Sequence, residues 1–330
     1  MRLIFFSFKH RYRQKELNNF LKSRTYGKYF ILNLGGPFRY FIAKLLIFLR
    51  IGRAISCDGK PLITKKSKGI NFWMRGTTQH IPKDLKKLNN NFVTIDNPLV
   101  KDKKIFQIYP INIKQTQIRR DCKIIYISKI IIEADAEVKR IWEKYKVQMM
   151  EDFGLIDSKI FWEKIYIKEN NELEKYFLYK KFKLLLRFEI IKNIKVMFDK
   201  NLHLIGDDWN LFSINSSPSN YNVKQIKKLY EGNICLDLGS MLGSVSLYPR
   251  SNQIIESGGL IIQSYQNDAN EIWGNLKDKI LFKNLSDLTS LINKLLTDKG
   301  YCSFLLKEIS NNFRNSKKSL EKSLDKIFEQ

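Results

Sequence analysis

From residue 123 onward, short continuous apolar runs alternate with longer stretches of helical periodicity, and that rhythm leaves few folds open. The first run is Lys123-Ile124-Ile125-Tyr126-Ile127-Ser128, followed by a helix-like stretch over 133–150. Comparable runs return at 202–206, 233–238, 260–263 and 279–282. A strand that is apolar at every position is covered on both faces, as parallel strands under helices are. The spacing predicts further helices over 222–230, 250–256, 287–296, 301–313 and 320–328. Residues 161–200 read as two or more helices rich in Lys, Phe and Leu, inserted in a crossover. The expected fold class is therefore α/β.

The first 120 residues are less regular. Residues 1–8 read as a first strand: the apolar run carries one cation, and Lys9-His10-Arg11 follows with no small-residue cleavage site. Apolar runs at 30–34 and 91–95 are separated by loops rich in Gly, Pro and Lys, which suits a small or degenerate α/β domain. The polar stretch 112–121 reads as a hinge. The expected organisation is a reduced N-terminal domain over 1–121, a sheet domain over 122–312 with a helical insertion near 155–200, and a C-terminal helix over 313–330.

Several function classes are disfavoured by composition. The chain has 330 residues and is 44% apolar, enough for two real cores. Its four cysteines, Cys57, Cys122, Cys235 and Cys302, are far apart, and with three histidines they form no zinc-like spacing or disulfide framework, so a reducing compartment fits. The 58 Lys and Arg against 33 Asp and Glu give a net charge of +25. Such a charge favours an anionic partner: nucleic acid, an acidic leaflet or a phosphorylated substrate. The longest apolar stretch, 38–51, is interrupted by Arg39, Lys44 and Arg50 and is too short to cross about 30 Å of hydrocarbon. Drawn as a helix, it could lie on an anionic leaflet or pack in a core with its cations reaching out to water.

The chemistry is concentrated in the small-residue loop Gly239-Ser240-Met241-Leu242-Gly243-Ser244-Val245-Ser246-Leu247-Tyr248-Pro249-Arg250, between a buried strand and a helix start. Such a loop can bring backbone N–H groups to a diphosphate, with the helix N-terminus adding partial positive charge, or it can be an ordinary strand-to-helix connection. Together with its continuation through Arg250, Gln253, Glu256 and Ser257-Gly258-Gly259 to Leu260-Ile261-Ile262-Gln263, it resembles the glycosyltransferase group 1 superfamily in its spore-maturation-protein-like branch. The resemblance extends through Leu204-Ile205-Gly206-Asp207-Asp208-Trp209, Tyr230–Leu236, Asn267–Glu271 and Leu285–Leu288. Nothing comparable occurs in the first 120 residues.

This resemblance implies two Rossmann-like domains, a nucleotide-diphosphate sugar donor and metal-independent transfer, with no cofactor. Donor-side candidates are Gly206, Trp209, Ser244, Ser246, Tyr248, Arg250 and Gln253. Arg250 would pair with diphosphate oxygens, or else with Asp237 or Glu256. Where the family has a Glu accepting from the ribose hydroxyls, this chain has Gln253, which keeps a carbonyl acceptor but loses charge assistance. Gly258 and Gly259 read as fold residues, and Asp207-Asp208 as a turn or cap in preference to a metal pair. Trp209 could flank a base or sit in the core.

On the acceptor side the candidates are Gly35, Gly36, Arg75 and His80, with the segment 71–80 mixing polar and aromatic groups suited to a sugar. Asp58, His80 and Asp96 are the available bases, none of them distinguished. The expected function is transfer of a sugar to a cell-envelope glycan or lipid-linked acceptor on the cytoplasmic side, with nucleic acid disfavoured as a partner. The alternatives are a non-catalytic basic binding protein with a decayed donor pocket, and a subunit whose short N-terminal domain is completed by a partner.

Overall fold

The computed structural model describes residues 2–8, 25–26, 29–33, 37–49, 51–57, 110, 113–130, 136–169, 175–219, 222–239 and 246–314. Gly35, Gly36, Asp58, Arg75, His80, Asp96 and Ser244, the run 91–95 and the helix expected at 320–328 lie outside them. The chain divides into two compact units, one of Met1–Ile111 with Phe313–Gln330, the other of Asn112–Asn312.

The first unit contains a four-stranded sheet in the order β2-β3-β1-β4. Its strands are β1 (Arg2–Phe8), β2 (Thr25–Tyr26), β3 (Tyr29–Asn33) and β4 (Arg53–Cys57). The apolar β1 is central and runs parallel to both neighbours, with Ile4 opposite Ile31 on one side and Arg53 on the other. Between β3 and β4 lies helix α1 (Pro37–Phe48). Ala43 on α1 is fully buried, whereas Phe38, Phe41, Ile42, Leu45, Phe48 and Leu49 are exposed.

The second unit is a five-stranded sheet with every neighbouring pair parallel. Its strands are β5 (Ile124–Ile127), β6 (Leu202–Ile205), β7 (Ile234–Asp237), β8 (Leu260–Ser264) and β9 (Leu281–Phe282). Every residue of β5, β7 and β8 is buried, as expected of strands covered on both faces. In space the order is β6-β5-β7-β8-β9, so the chain steps outward from β5 to β6 and then reverses past β5 to build the other side. The reversal makes a switch point between β5 and β7.

The insertion in the first crossover holds α2 (Ala136–Glu151), a 3₁₀ turn (Phe153–Asp157), α3 (Lys159–Glu169) and α4 (Lys175–Phe198). Aromatic edges lock it: Trp142 and Trp162 lie 5.2 and 5.4 Å, centroid to centroid, from the buried Phe182 ring. The Trp162 indole N–H donates to the Ile156 carbonyl at 2.8 Å, so the ring is buried with its polar group satisfied. Five helices complete the unit: α5 (Val223–Tyr230), α6 (Pro249–Glu256), α7 (Ala269–Trp273), α9 (Leu285–Thr297) and α10 (Lys299–Asn312), with a single turn α8 (Lys277–Ile280) before β9. That turn takes the first half of the run expected as a strand over 279–282, leaving two residues extended.

The segment 113–121 is hydrogen-bonded to the end of α6 and to the turns at Gly232 and Gly258. Lys114 N–H donates to the Glu256 carbonyl at 3.1 Å and Arg119 N–H to that of Gly232 at 2.9 Å. The Thr116 hydroxyl donates to the Gly258 carbonyl at 2.7 Å. Gly258 has φ of +73° and a Cβ there would lie 2.4 Å from Thr116 Oγ1, which accounts for a glycine where α6 ends and β8 is about to begin. Among the described residues no helix is long and apolar enough to cross a membrane.

Candidate functional site

In open parallel sheets, ligands bind beyond the carboxyl ends of the strands where the winding reverses. Here that point follows Ile127 of β5 and Asp237 of β7. Chain beyond β7 turns sharply at Gly239, whose φ is +76°, and a Cβ there would approach the Gln266 amide nitrogen to 2.7 Å. The left-handed backbone favours glycine here, and a side chain would push the Gln266 amide aside.

Both ends of the small-residue loop are pinned from beneath. Asp237 is fully buried and accepts the Gly239 N–H at 3.1 Å through Oδ1, and the Gln263 amide at 2.9 Å through Oδ2. Tyr248 donates its hydroxyl to the same carboxylate. Gln263 also donates to the Ser246 carbonyl at 2.8 Å and accepts the Trp273 indole N–H at 3.2 Å. Ser246 is held by Asp268, which accepts its N–H at 2.8 Å and its hydroxyl at 2.7 Å. Burial pushes the Asp237 carboxyl above its ordinary range, while Arg250, the bonds from Tyr248 and Gln263, and Arg187 pull it back.

Helix α6 opens where this loop ends. The Ser251 hydroxyl accepts the Tyr248 N–H at 2.7 Å and returns a bond to the Tyr248 carbonyl at 2.9 Å, fixing the start of the first turn, with Pro249 as first residue. Arg250 and Gln253, three residues apart, are neighbours on one helix face. Arg250 stays partly exposed and lies within electrostatic reach of Asp237. Gln253 is 6% exposed, and its amide nitrogen has no hydrogen-bond partner. A buried donor left unmet costs about 1–3 kcal/mol, so this is a position with something to gain from an acceptor.

A second group of polar residues, not anticipated from sequence, borders the ends of β7 and β8. Lys183 and Arg187, one turn apart on α4, are both buried. Lys183 pairs with Asp157 at 3.1 Å, and Asp157 also accepts the Tyr179 hydroxyl at 2.7 Å. Arg187 donates to the carbonyls of Leu238 and Gly239, so α4 grips the turn that leaves β7. Burial lowers the Lys183 pKa, Arg187 lowers it further, and Asp157 opposes both. Asp157, Lys183 and Arg187, with Leu238, Ser264 and Gln266, line a small recess. Gln266 is buried with its carbonyl oxygen unpaired, its amide nitrogen bonding Ser264 at 3.0 Å. The sequence signal was present in Phe182-Lys183-Leu184-Leu185-Leu186-Arg187-Phe188: two cations four apart inside an apolar run.

Of the other donor-side candidates, Gly206 sits at the end of β6, where a Cβ would fall 1.9 Å from the Ser128 carbonyl oxygen. It marks close approach of the β5 and β6 ends. Trp209 is fully buried, stacks on Phe188 at 6.4 Å and donates its indole N–H to Ser128 O at 2.6 Å. Its ring belongs to the core. Asp207 accepts the N–H and hydroxyl of Ser219 at 3.1 and 2.5 Å, bonds that hold its carboxyl below the ordinary range, and Asp208 pairs with Lys129 at 3.2 Å. These two acids close a turn. Among the described residues no three of His, Cys, Asp and Glu are grouped as metal ligands.

No protein-family model and no curated protein matches the chain.

Proposed function

We propose that the second unit binds a nucleotide-diphosphate sugar and that the chain is a metal-independent glycosyltransferase built on two Rossmann-like domains. The observation that carries this reading is the buried, unpaired amide of Gln253, on the helix that starts where the switch-point loop ends. A ribose hydroxyl would supply the missing acceptor, and the resemblance puts the ribose at this position. Arg250, on the same helix face, and the amides of the first turn of α6 suit the diphosphate.

In such an arrangement the fixed dipoles and cations are set before the reaction and favour the charge that develops on the departing diphosphate. Arg187 grips the turn at Gly239, and the bonds to Asp237 and Asp268 hold Gly239 and Ser246, the described residues on either side of 240–245. An acceptor hydroxyl aligned with the anomeric carbon would gain from orientation. The acceptor class is a cell-envelope glycan or lipid-linked sugar on the cytoplasmic side.

A thermal-shift series with nucleoside diphosphates and their sugars tests the reading. A ligand at a hundredfold excess over its Kd adds about 2.7 kcal/mol, a readily measured rise in Tm. Arg250→Ala is expected to shrink that rise, and an unchanged response would remove Arg250 from the phosphate site. The net charge of +25 favours one rival, a basic binding protein with no donor. Salt-sensitive capture of random oligonucleotides, with no response to any nucleotide sugar, would select it.

A further inference from the structure

Helix α1 contains no Asp or Glu, and neither do the residues that follow it to Ile51. On it and at the residue just after it, Phe38, Phe41, Ile42, Leu45, Phe48 and Leu49 fall at the i, i+3, i+4, i+7 spacing of a single stripe. All six are exposed, by 38% to 75%, and Ile51 just beyond is 49% exposed. Ala43, on the opposite flank, is fully buried, so the stripe faces away from the covered side of the helix. Scattered apolar side chains on a surface need no explanation, but a contiguous stripe of this kind marks a surface that is covered in use.

We infer that α1 is a bilayer-docking helix that lies in the headgroup boundary of an anionic membrane. Lys44 is exposed beside the stripe, and the sequence adds Arg39 and Arg50. An exposed apolar stripe flanked by Lys44, in a sequence with further cations and no acid, matches an acidic leaflet in which Phe and Leu enter the acyl boundary while the Lys44 ammonium meets lipid phosphate. A second copy of this face would set cation against cation with nothing to neutralise them. At 12 residues the helix is about 18 Å long, so it lies along a bilayer and does not cross it. This inference stands apart from the donor-site reading, because it concerns the first unit alone.

Vesicle flotation with the full chain tests it, using phosphatidylglycerol mixed equally with phosphatidylcholine, and phosphatidylcholine alone. The protein is expected to float with the anionic vesicles and far less with the neutral ones. The double variant Phe41→Ser with Leu45→Ser should bind at least about a hundredfold more weakly, and Lys44→Glu roughly tenfold more weakly. Because these side chains are exposed, both variants should melt with the parent, and any nucleotide-dependent rise in Tm should persist in them. That second readout separates failure of the docking surface from failure of the donor site. Equal flotation of parent and double variant, equal affinity for both vesicles, or a vesicle-independent dimer dissolved by the double variant would each overturn the inference.

Discussion

At position 253 an amide stands where the resembled family has a carboxylate, and its nitrogen is buried without a partner. Gln253→Glu removes that orphan donor and offers a charged acceptor to a ribose diol. Charge-assisted bonds are roughly twice as strong as neutral ones, so the variant should bind a nucleoside diphosphate about tenfold more tightly by calorimetry. Without ligand it should melt lower, because a buried carboxylate loses more hydration than the amide it replaces. A variant that binds no more tightly would place the ribose elsewhere. Gln253 could be singled out in the sequence because the motif around it is local. Lys183 and Arg187 were not, because a cation reads as solvated until the structure shows what covers it. Trp209 was open between base and core, and only its contacts with Phe188 and Ser128 place it in the core.

The insertion helices are tied by a charged cluster as well as by aromatic edges. Glu169, at the end of α3, accepts bonds from Arg140 and Lys144 of α2 at 3.0 and 2.9 Å, and its side chain is only 5% exposed. The bond from Lys144, with that from Arg140, holds its carboxyl below the ordinary value of 4.5 against the opposing effect of burial. A depressed carboxylate stabilises the fold fully above its unfolded pKa, and the contribution is lost as pH falls through the folded value. The Tm advantage of the parent over Glu169→Gln should therefore be largest near neutrality and shrink below about pH 4.5. Asp237 carries the opposite sign, since its raised pKa gives stability below its unfolded value that is lost as pH rises. Both proteins contain Asp237, so the difference between them isolates Glu169. At this scale the strands were readable because a parallel strand buried on both faces is one apolar run. Shorter elements were not: the 3₁₀ turns at Phe153–Asp157 and Trp209–Phe212 have too few residues to show a period.

Across the whole molecule the excess of 25 positive charges sets a third expectation. Self-repulsion opposes the compact state and is screened by salt, so Tm should rise between a few millimolar and ~0.15 M sodium chloride. A falling Tm would mean that ion pairs such as Lys183–Asp157 outweigh the repulsion. The α/β class and the parallel sheet of the second unit were visible in the alternation of apolar runs and helical stretches. The first unit was less so, since Gly, Pro and Lys interrupt the apolar runs of its sequence without a period. The exposed stripe on α1 could be drawn on a helical wheel, but only the burial of Ala43 against it shows which way it faces.

The bonds from Lys114, Thr116 and Arg119 to Glu256, Gly258 and Gly232 bear on where the second unit can be cut free. A fragment started at Cys122 would leave those three carbonyls facing water and strip the packing over the Gly258 bend, whereas one started ahead of Ile113 keeps its own strap. The natural seam for expressing this half alone therefore lies before the polar stretch, and the longer fragment is the one expected to stay folded.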